Sequence, residues 1–141
     1  MPADLALKAM NTIHRTILAV TGNRVGWRAG GMPVLELTTT GRHTGQRRSV
    51  MLTSPVQEDD AWVIVASRGG DDRHPAWFLN LLANPQVTVR LEGGPSRLMT
   101  ARTATGDERE RLWSKVVATY PHYGKYQDKT DRTIPLVVLS D

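Results

Sequence analysis

The sequence predicts an α+β fold, a small or open barrel of about six mostly antiparallel strands with two or three helices against it. Three observations carry that expectation. Short β-branched runs recur between Gly-, Pro- and Asp-bearing turns through the middle of the chain. Helical three- and four-residue spacing is confined to segments that flank these runs. The last run, Ile134 to Leu139, is apolar almost throughout, as a central strand covered on both faces must be.

The elements follow in order. From about Asp4 to Val20, Ala6, Met10, Ile13, Ile17 and Val20 recur at helical spacing, with Lys8, His14 and Arg15 around them. Packing on the domain core is the expected role; a basic amphipathic segment on a membrane surface is the alternative. Gly22, Gly26, Gly30 and Gly31 then break the chain into a loop ending at Pro33. This gives two units: residues 1–32, an N-terminal amphipathic helix and glycine-rich loop, and residues 33–141, the barrel domain.

Val34 to Thr40 and Ser49 to Val56 read as strands, and Glu58-Asp59-Asp60 as a tight turn. Ala61 to Ser67, with Trp62, Val63, Ile64 and Val65, reads as a buried strand, so the three runs form a meander. Arg68 to Arg73 is a loop. His74-Pro75 opens a short helix whose first turn suits Pro75, and Asn84-Pro85 ends it. Gln86 to Leu91 and Arg97 to Ala104 are strands about a Gly93-Gly94-Pro95 turn. Thr105 with Glu108 has the spacing of a capping box. The helix it opens runs to about Tyr120 and buries Leu112, Trp113, Val116 and Val117; Pro121 stops it. A polar, tyrosine-rich segment then leads to Arg132.

A chain of 141 residues suits one domain with a core that needs no staples. The absence of cysteine excludes disulfides, thiolate metal sites, iron–sulfur clusters and cysteine nucleophiles, and is compatible with a cytoplasmic setting. There is no secretory signal and no apolar run of bilayer-spanning length, so the expected location is the cytoplasm, with peripheral contact at the inner face of the plasma membrane as the extension. His14, His43, His74 and His122 fall at no metal-ligand spacing, and no metal is expected.

The net charge of +4, with a pI near 9.9, suits nucleic acid, anionic lipid or an acidic small molecule. The densest cationic stretch, Thr38 to Ser49, joins two strands and carries Arg42, His43 and Thr44 between Gly41 and Gly45, then Arg47 and Arg48. It has no aromatic residue, which argues against a single-strand nucleic-acid platform. Arginine presents planar paired donors that match phosphate and carboxylate. An anion clamp at a barrel mouth is the functional reading; a solvated basic hairpin is the plain one. The stretch is neither a Walker loop nor a dinucleotide fingerprint.

Three further clusters stand out. Ala66-Ser67-Arg68-Gly69-Gly70 leaves a buried strand with a hydroxyl, a cation and two glycines. His74 to Asn80 opens a helix whose free amides could face an anion. Tyr120, Tyr123 and Tyr126 recur every third residue around His122, as the wall of a pocket for a flat substrate or as a loop pinned by amphipathic rings.

Four motifs together carry a resemblance. Thr-Thr-x-Gly-Arg-x-Thr-Gly-x-x-Arg, Val-Ala-Ser-Arg-Gly-Gly, His-Pro-Ala-Trp-Phe-Leu-Asn-Leu-x-Ala-Asn-Pro and Tyr-Pro-x-Tyr-x-x-Tyr-Gln-x-Lys-Thr-Asp-Arg-x-Ile-Pro stand in the order seen in the deazaflavin-dependent nitroreductases of actinobacteria, which the chain resembles from Val34 to Leu139. The resemblance implies a split β-barrel of the FMN-binding, flavin-reductase-like type. It implies coenzyme F-420, an 8-hydroxy-5-deazaflavin with a phosphodiester and an acidic tail, as hydride donor to a quinone or nitroaromatic acceptor.

Carried over by motif, Arg42, His43, Thr44 and Arg48 hold the phosphate and carboxylates. Ser49, Val50, Met51 and Leu52 continue the cofactor wall. Val65, Ala66, Ser67 and Arg68, with Ala76, Trp77, Phe78 and Asn80, line the ring and ribityl portion. Ser67, Tyr120, Tyr123 and Tyr126 are the expected catalytic residues, facing the acceptor and supplying its proton.

Two departures shape the expectation. His43 stands where relatives can carry lysine, which makes tail binding pH-sensitive. Met51 and Leu52 stand where some members have a tyrosine, which favours quinones over nitroimidazoles. FMN on the same barrel and a non-catalytic deazaflavin carrier are the alternatives, and a homodimer is a further expectation.

Overall fold

The structure, a computed structural model, describes residues 28–29 and 31–141. The expected helix from Asp4 to Val20, its membrane role and nearly all of the 1–32 unit lie outside the described residues. Among the described residues eight strands appear: β1 (Arg28–Ala29), β2 (Met32–Thr40), β3 (Arg47–Thr53), β4 (Val56–Glu58), β5 (Ala61–Val65), β6 (Gln86–Leu91), β7 (Ser96–Thr103) and β8 (Leu136–Ser140). Three helices join them: α1 (Ala76–Ala83), α2 (Gly106–Thr119) and α3 (His122–Asp128). No helix among the described residues is long and apolar enough to cross a membrane.

Every strand pairing is antiparallel. The sheet runs β1-β2-β6-β7-β8-β5-β4, with β3 on β2. β3 and β4 therefore lie towards opposite ends of the sheet, yet only Ser54 and Pro55 separate them in the chain. The three chain steps from Thr53 to Val56 can span only about 10 Å, so the sheet must curl until its ends meet. Ser54 makes the seam. Its amide donates to Pro33 O at 2.9 Å, and its buried hydroxyl donates to Val63 O at 2.7 Å.

This seam corrects two expectations. The run Ser49 to Val56 is not one strand: it breaks at Ser54, whose side chain is spent on the β5 backbone. The first three runs are not a meander, because β5 pairs with β4 and β8 and not with β3. The split barrel itself is as the resemblance implied, and β8 is central, between β7 and β5.

Strand alternation divides the core in two. Leu35, Leu37, Ile64, Val87, Val89, Met99, Val137 and Leu139 fill the barrel, and Phe78 and Leu81 of α1 plug it. Burying side chains of this size contributes roughly 2 kcal/mol each. Val63, Val65, Leu136 and Val138 face the other way, onto Leu112 and Val116 of α2 and Tyr123 of α3. β5 and β8 are thus covered on both faces, which is why they read as continuous apolar runs.

Two helix expectations change. Thr105 occupies the N-cap of α2 but makes no side-chain cap bond, and Glu108 instead takes both prongs of Arg102 on β7, at 2.5 and 2.9 Å. A charge-assisted bidentate pair outcompetes a capping box. The tyrosine-rich segment is not a loop: Pro121, with φ −58, starts α3 directly after α2 ends.

Candidate functional site

The β2–β3 turn is closed by its own backbone, with the Gly41 amide on Gln46 O at 2.7 Å and the Gly45 amide on Gly41 O at 2.8 Å. Gly45 sits at φ +72, which a side chain would resist. Arg42, His43, Thr44, Arg47 and Arg48 are all exposed on this rim.

The sheet register sorts the residues beyond it. Arg48, opposite Thr39, shares a face with Val50 and Leu52, which pack on the barrel core. Ser49 and Met51 point to the outer face: Ser49 Oγ meets Thr38 Oγ1 at 2.7 Å, and Met51 lies opposite Glu36. Arg47 shares that outer face and donates to Thr88 Oγ1 at 2.6 Å. The five expected residues on β3, Arg48 to Leu52, therefore fall into an inner and an outer group, one strand position apart.

Asn80 ties the inner group to α1. It is 4% exposed, and its Oδ1 accepts from the Arg42 amide at 3.1 Å and from Arg42 Nη1 at 2.9 Å. Its Nδ2 donates to the buried Thr39 hydroxyl at 3.2 Å. Both ends of the amide are thus committed to the protein, and Asn80 orients Arg42. On the same helix Ala76 is exposed, Trp77 is half-buried and Phe78 is core.

The second group lies at the other end of α1. Ala66 is buried in the barrel, Val65 faces α2 and α3, and Ser67 is 9% exposed. A 3-10 turn, Arg68–Gly70, follows. Arg68 pairs with Asp71 at 3.1 Å. His74, held by Arg132 together with the Ser67 loop, precedes the first turn of α1, and Asn80, which holds Arg42, lies in the middle of the same helix.

The third group is the ring cluster of α3. His122 lies 4.2 Å from Tyr123, 5.4 Å from Tyr126 and 6.3 Å from Tyr120. The three tyrosines differ. Tyr123 is 5% exposed, its hydroxyl 3.1 Å from Thr53 Oγ1 and 3.7 Å from Met32 Sδ, and burial raises its pKa above the ordinary phenol value. Tyr120 and Tyr126 are half-buried.

Arg132 was not singled out in the sequence, although it stands in the fourth motif. Its nitrogens donate to Ala66 O, Ser67 O and Asp71 O and meet His74 Nδ1. Burial, and then the charge of Arg132, lower the His74 pKa below the ordinary imidazole value. An open depression of about 430 Å³ lies beside the loop, lined by Gly70, Asp71, Asp72, Arg73 and Lys129. No cluster of metal-ligating side chains occurs among the described residues.

The curled sheet closed at Ser54, with arginines exposed on the β2–β3 rim, is a split barrel. The comparisons narrow this class. The family model described as F420H(2)-dependent quinone reductase matches residues 10–141. An F420H(2)-dependent quinone reductase of Mycobacterium tuberculosis (strain H37Rv) is 41% identical over 133 residues, 91% of this chain and 87% of that protein. A solved F420-H2 dependent reductase (FDR-A) superposes with a TM-score of 0.66 at 41% identity, over 77% of this chain and 94% of its own. A second structure, described as a domain-swapped dimer, gives 0.67 at 35% identity, over 99% of this chain and 100% of its own. The chain belongs to the F420H(2)-dependent quinone reductase family.

Proposed function

We propose that this chain uses reduced coenzyme F-420 to reduce a quinone, with the ring bound along α1 between the Ser67 loop and the ring cluster, and the anionic tail on the arginine rim. The observation that carries the assignment of ends is the exposed Arg48 on the inner face of β3 together with Arg42, fixed by Asn80 in the middle of α1, the helix that follows the Ser67 loop. The donor set fits a deazaflavin: guanidinium groups suit its phosphodiester and carboxylates, and an apolar floor of Val50, Leu52 and Trp77 suits its ring.

When bound, the deazaflavin supplies hydride from its carbon 5. The protein supplies position and a proton. Asn80 sets the direction of Arg42. Ser67 presents its hydroxyl from a buried, fixed loop. Tyr120 and Tyr126, half-buried, are the phenols placed to orient the acceptor and protonate it, whereas the Tyr123 hydroxyl is engaged by Thr53. Nitroaromatic acceptors are the further substrate class to assay. A homodimer in solution is part of the same proposal, and sedimentation checks it.

Fluorescence titration with oxidised deazaflavin and with FMN tests the cofactor. Tight deazaflavin and weak FMN binding is the expected result. Preference for FMN would overturn the assignment, and binding without quinone turnover would make the chain a carrier.

A further inference from the structure

The loop after β5 has an unusual backbone. Ser67 is helical, and then Arg68, Gly69 and Gly70 all take positive φ, at 49°, 64° and 84°. Glycine adopts this region readily; arginine does so only against steric opposition, and such residues persist where their surroundings over-determine them. Here the surroundings come from two sides. At Gly70 an added Cβ would stand 2.7 Å from Tyr126 O and 3.1 Å from Lys129 Cβ, so the end of α3 is packed directly on the loop backbone.

From the other side comes one guanidinium. Arg132 Nε donates to Asp71 O at 2.8 Å, Nη2 to Ser67 O at 2.8 Å and Nη1 to Ala66 O at 3.2 Å. Nη1 also lies 3.1 Å from His74 Nδ1. Since arginine can only donate, Nδ1 accepts and the His74 proton sits on Nε2. Arg132 is itself held by α3: Gln127 Nε2 donates to Arg132 O at 2.7 Å, and Gln127 Oε1 accepts the Ile134 amide at 2.9 Å.

We propose that Arg132 is a positioning residue for the reaction: its planar fork locks the Ser67–Asp71 loop, the residue that leads into α1 and the tyrosine helix α3 into one frame, so that Ser67 and the phenols of α3 keep a fixed separation. This rests on the functional reading above, which puts cofactor and acceptor between those groups. Three carbonyls and an imidazole around one side chain require a flat, multi-pronged donor; a lysine ammonium, a point charge, cannot reach them together.

The test uses the full chain with Arg132→Lys and Arg132→Gln, and Gln127→Ala as a milder variant should either fail to fold. The Gly70 and Asp71 amides, bonded to Ser67 O and Arg68 O, are expected to exchange with solvent at least about tenfold faster, with β8 amides unchanged. The His74 nitrogen shifts are expected to lose the fixed Nε2–H signature. Turnover is expected to fall roughly tenfold or more with little change in acceptor KM, and lysine is expected not to rescue it. Full rescue by lysine, or a loosened loop with unchanged turnover, would overturn the proposal, as would unchanged exchange. Failure of the wild-type chain to bind deazaflavin would strike the functional reading instead, and the exchange and His74 signals would still decide whether Arg132 locks the loop.

Discussion

Two arginine-bearing regions of this barrel use the same side chain in opposite ways. At the β2–β3 rim Arg48 is exposed, with no partner among the described residues, and Arg42 commits only part of its fork, to Asn80. Under the Ser67 loop, Arg132 spends donors from all three nitrogens on the protein. On the proposed function, a cation kept for a ligand is oriented but left with open donors. A cation that builds a site is surrounded by backbone carbonyls. Sequence gives both as arginine in a motif, and only the satisfied valences separate them.

The sharpest way to break this contrast is Gly70→Ala, which places a Cβ against the Tyr126 carbonyl at φ +84. It is expected to destabilise by about 3 kcal/mol, read as a lowered melting temperature. Asn80→Ala leaves the Thr39 hydroxyl and the Arg42 amide without their partner; a loss of about 2 kcal/mol in stability, with weaker deazaflavin binding, is expected.

Arg48→Ala touches only the side proposed to face the ligand. Its deazaflavin Kd is expected to rise roughly tenfold, with the hydride-transfer rate and melting temperature nearly unchanged; an unaltered Kd would remove Arg48 from the clamp. Tyr123→Phe and Tyr126→Phe divide the ring cluster in the same manner. The first is expected to cost about 1 kcal/mol of stability and the second to lower turnover, and the reverse pattern would return proton donation to Tyr123.

The smallest effect lies far from the site. Hydrogen bonds from Arg111 and Lys115 hold Glu58 down to about 2, from an ordinary 4.5. A depressed carboxylate stabilises the fold fully above its ordinary value, and the contribution disappears as pH falls through the folded one. Glu58→Gln should therefore be less stable than wild type at neutral pH and converge with it towards pH 2 in acid-unfolding curves.

Much of this architecture was legible in the sequence because it is local. β6 matches its expected bounds, and α1 starts and stops at the prolines that bracket it. β8 was legible as central because burial on both faces leaves no polar alternation. What the sequence hid is tertiary. Ser54 interrupts a β-branched run only because Val63 O waits for its hydroxyl, and Glu108 leaves Thr105 only because Arg102 is nearer its carboxylate. Among the candidate site residues, the motifs brought Arg42, Asn80, Ser67 and the tyrosines to attention, but strand parity then set Ser49 and Met51 on the other face from Arg48. Arg132 stands in the fourth motif with no role legible there, since four acceptors from residues 66 to 74 meet it only in space.

One consequence reaches beyond binding. Among the described strands β3 has β2 as its only neighbour, so its other margin presents backbone groups ready to recruit a foreign strand. Arg48 stands exposed on this strand, while Arg47 reaches back over β2 to Thr88, and a second copy approaching in register would bring the Arg48 charges together. On the proposed function, the guanidinium that is offered to an acidic ligand also acts as a gatekeeper against aggregation, and Arg48→Ala should show it in colloidal stability before it shows it in melting temperature.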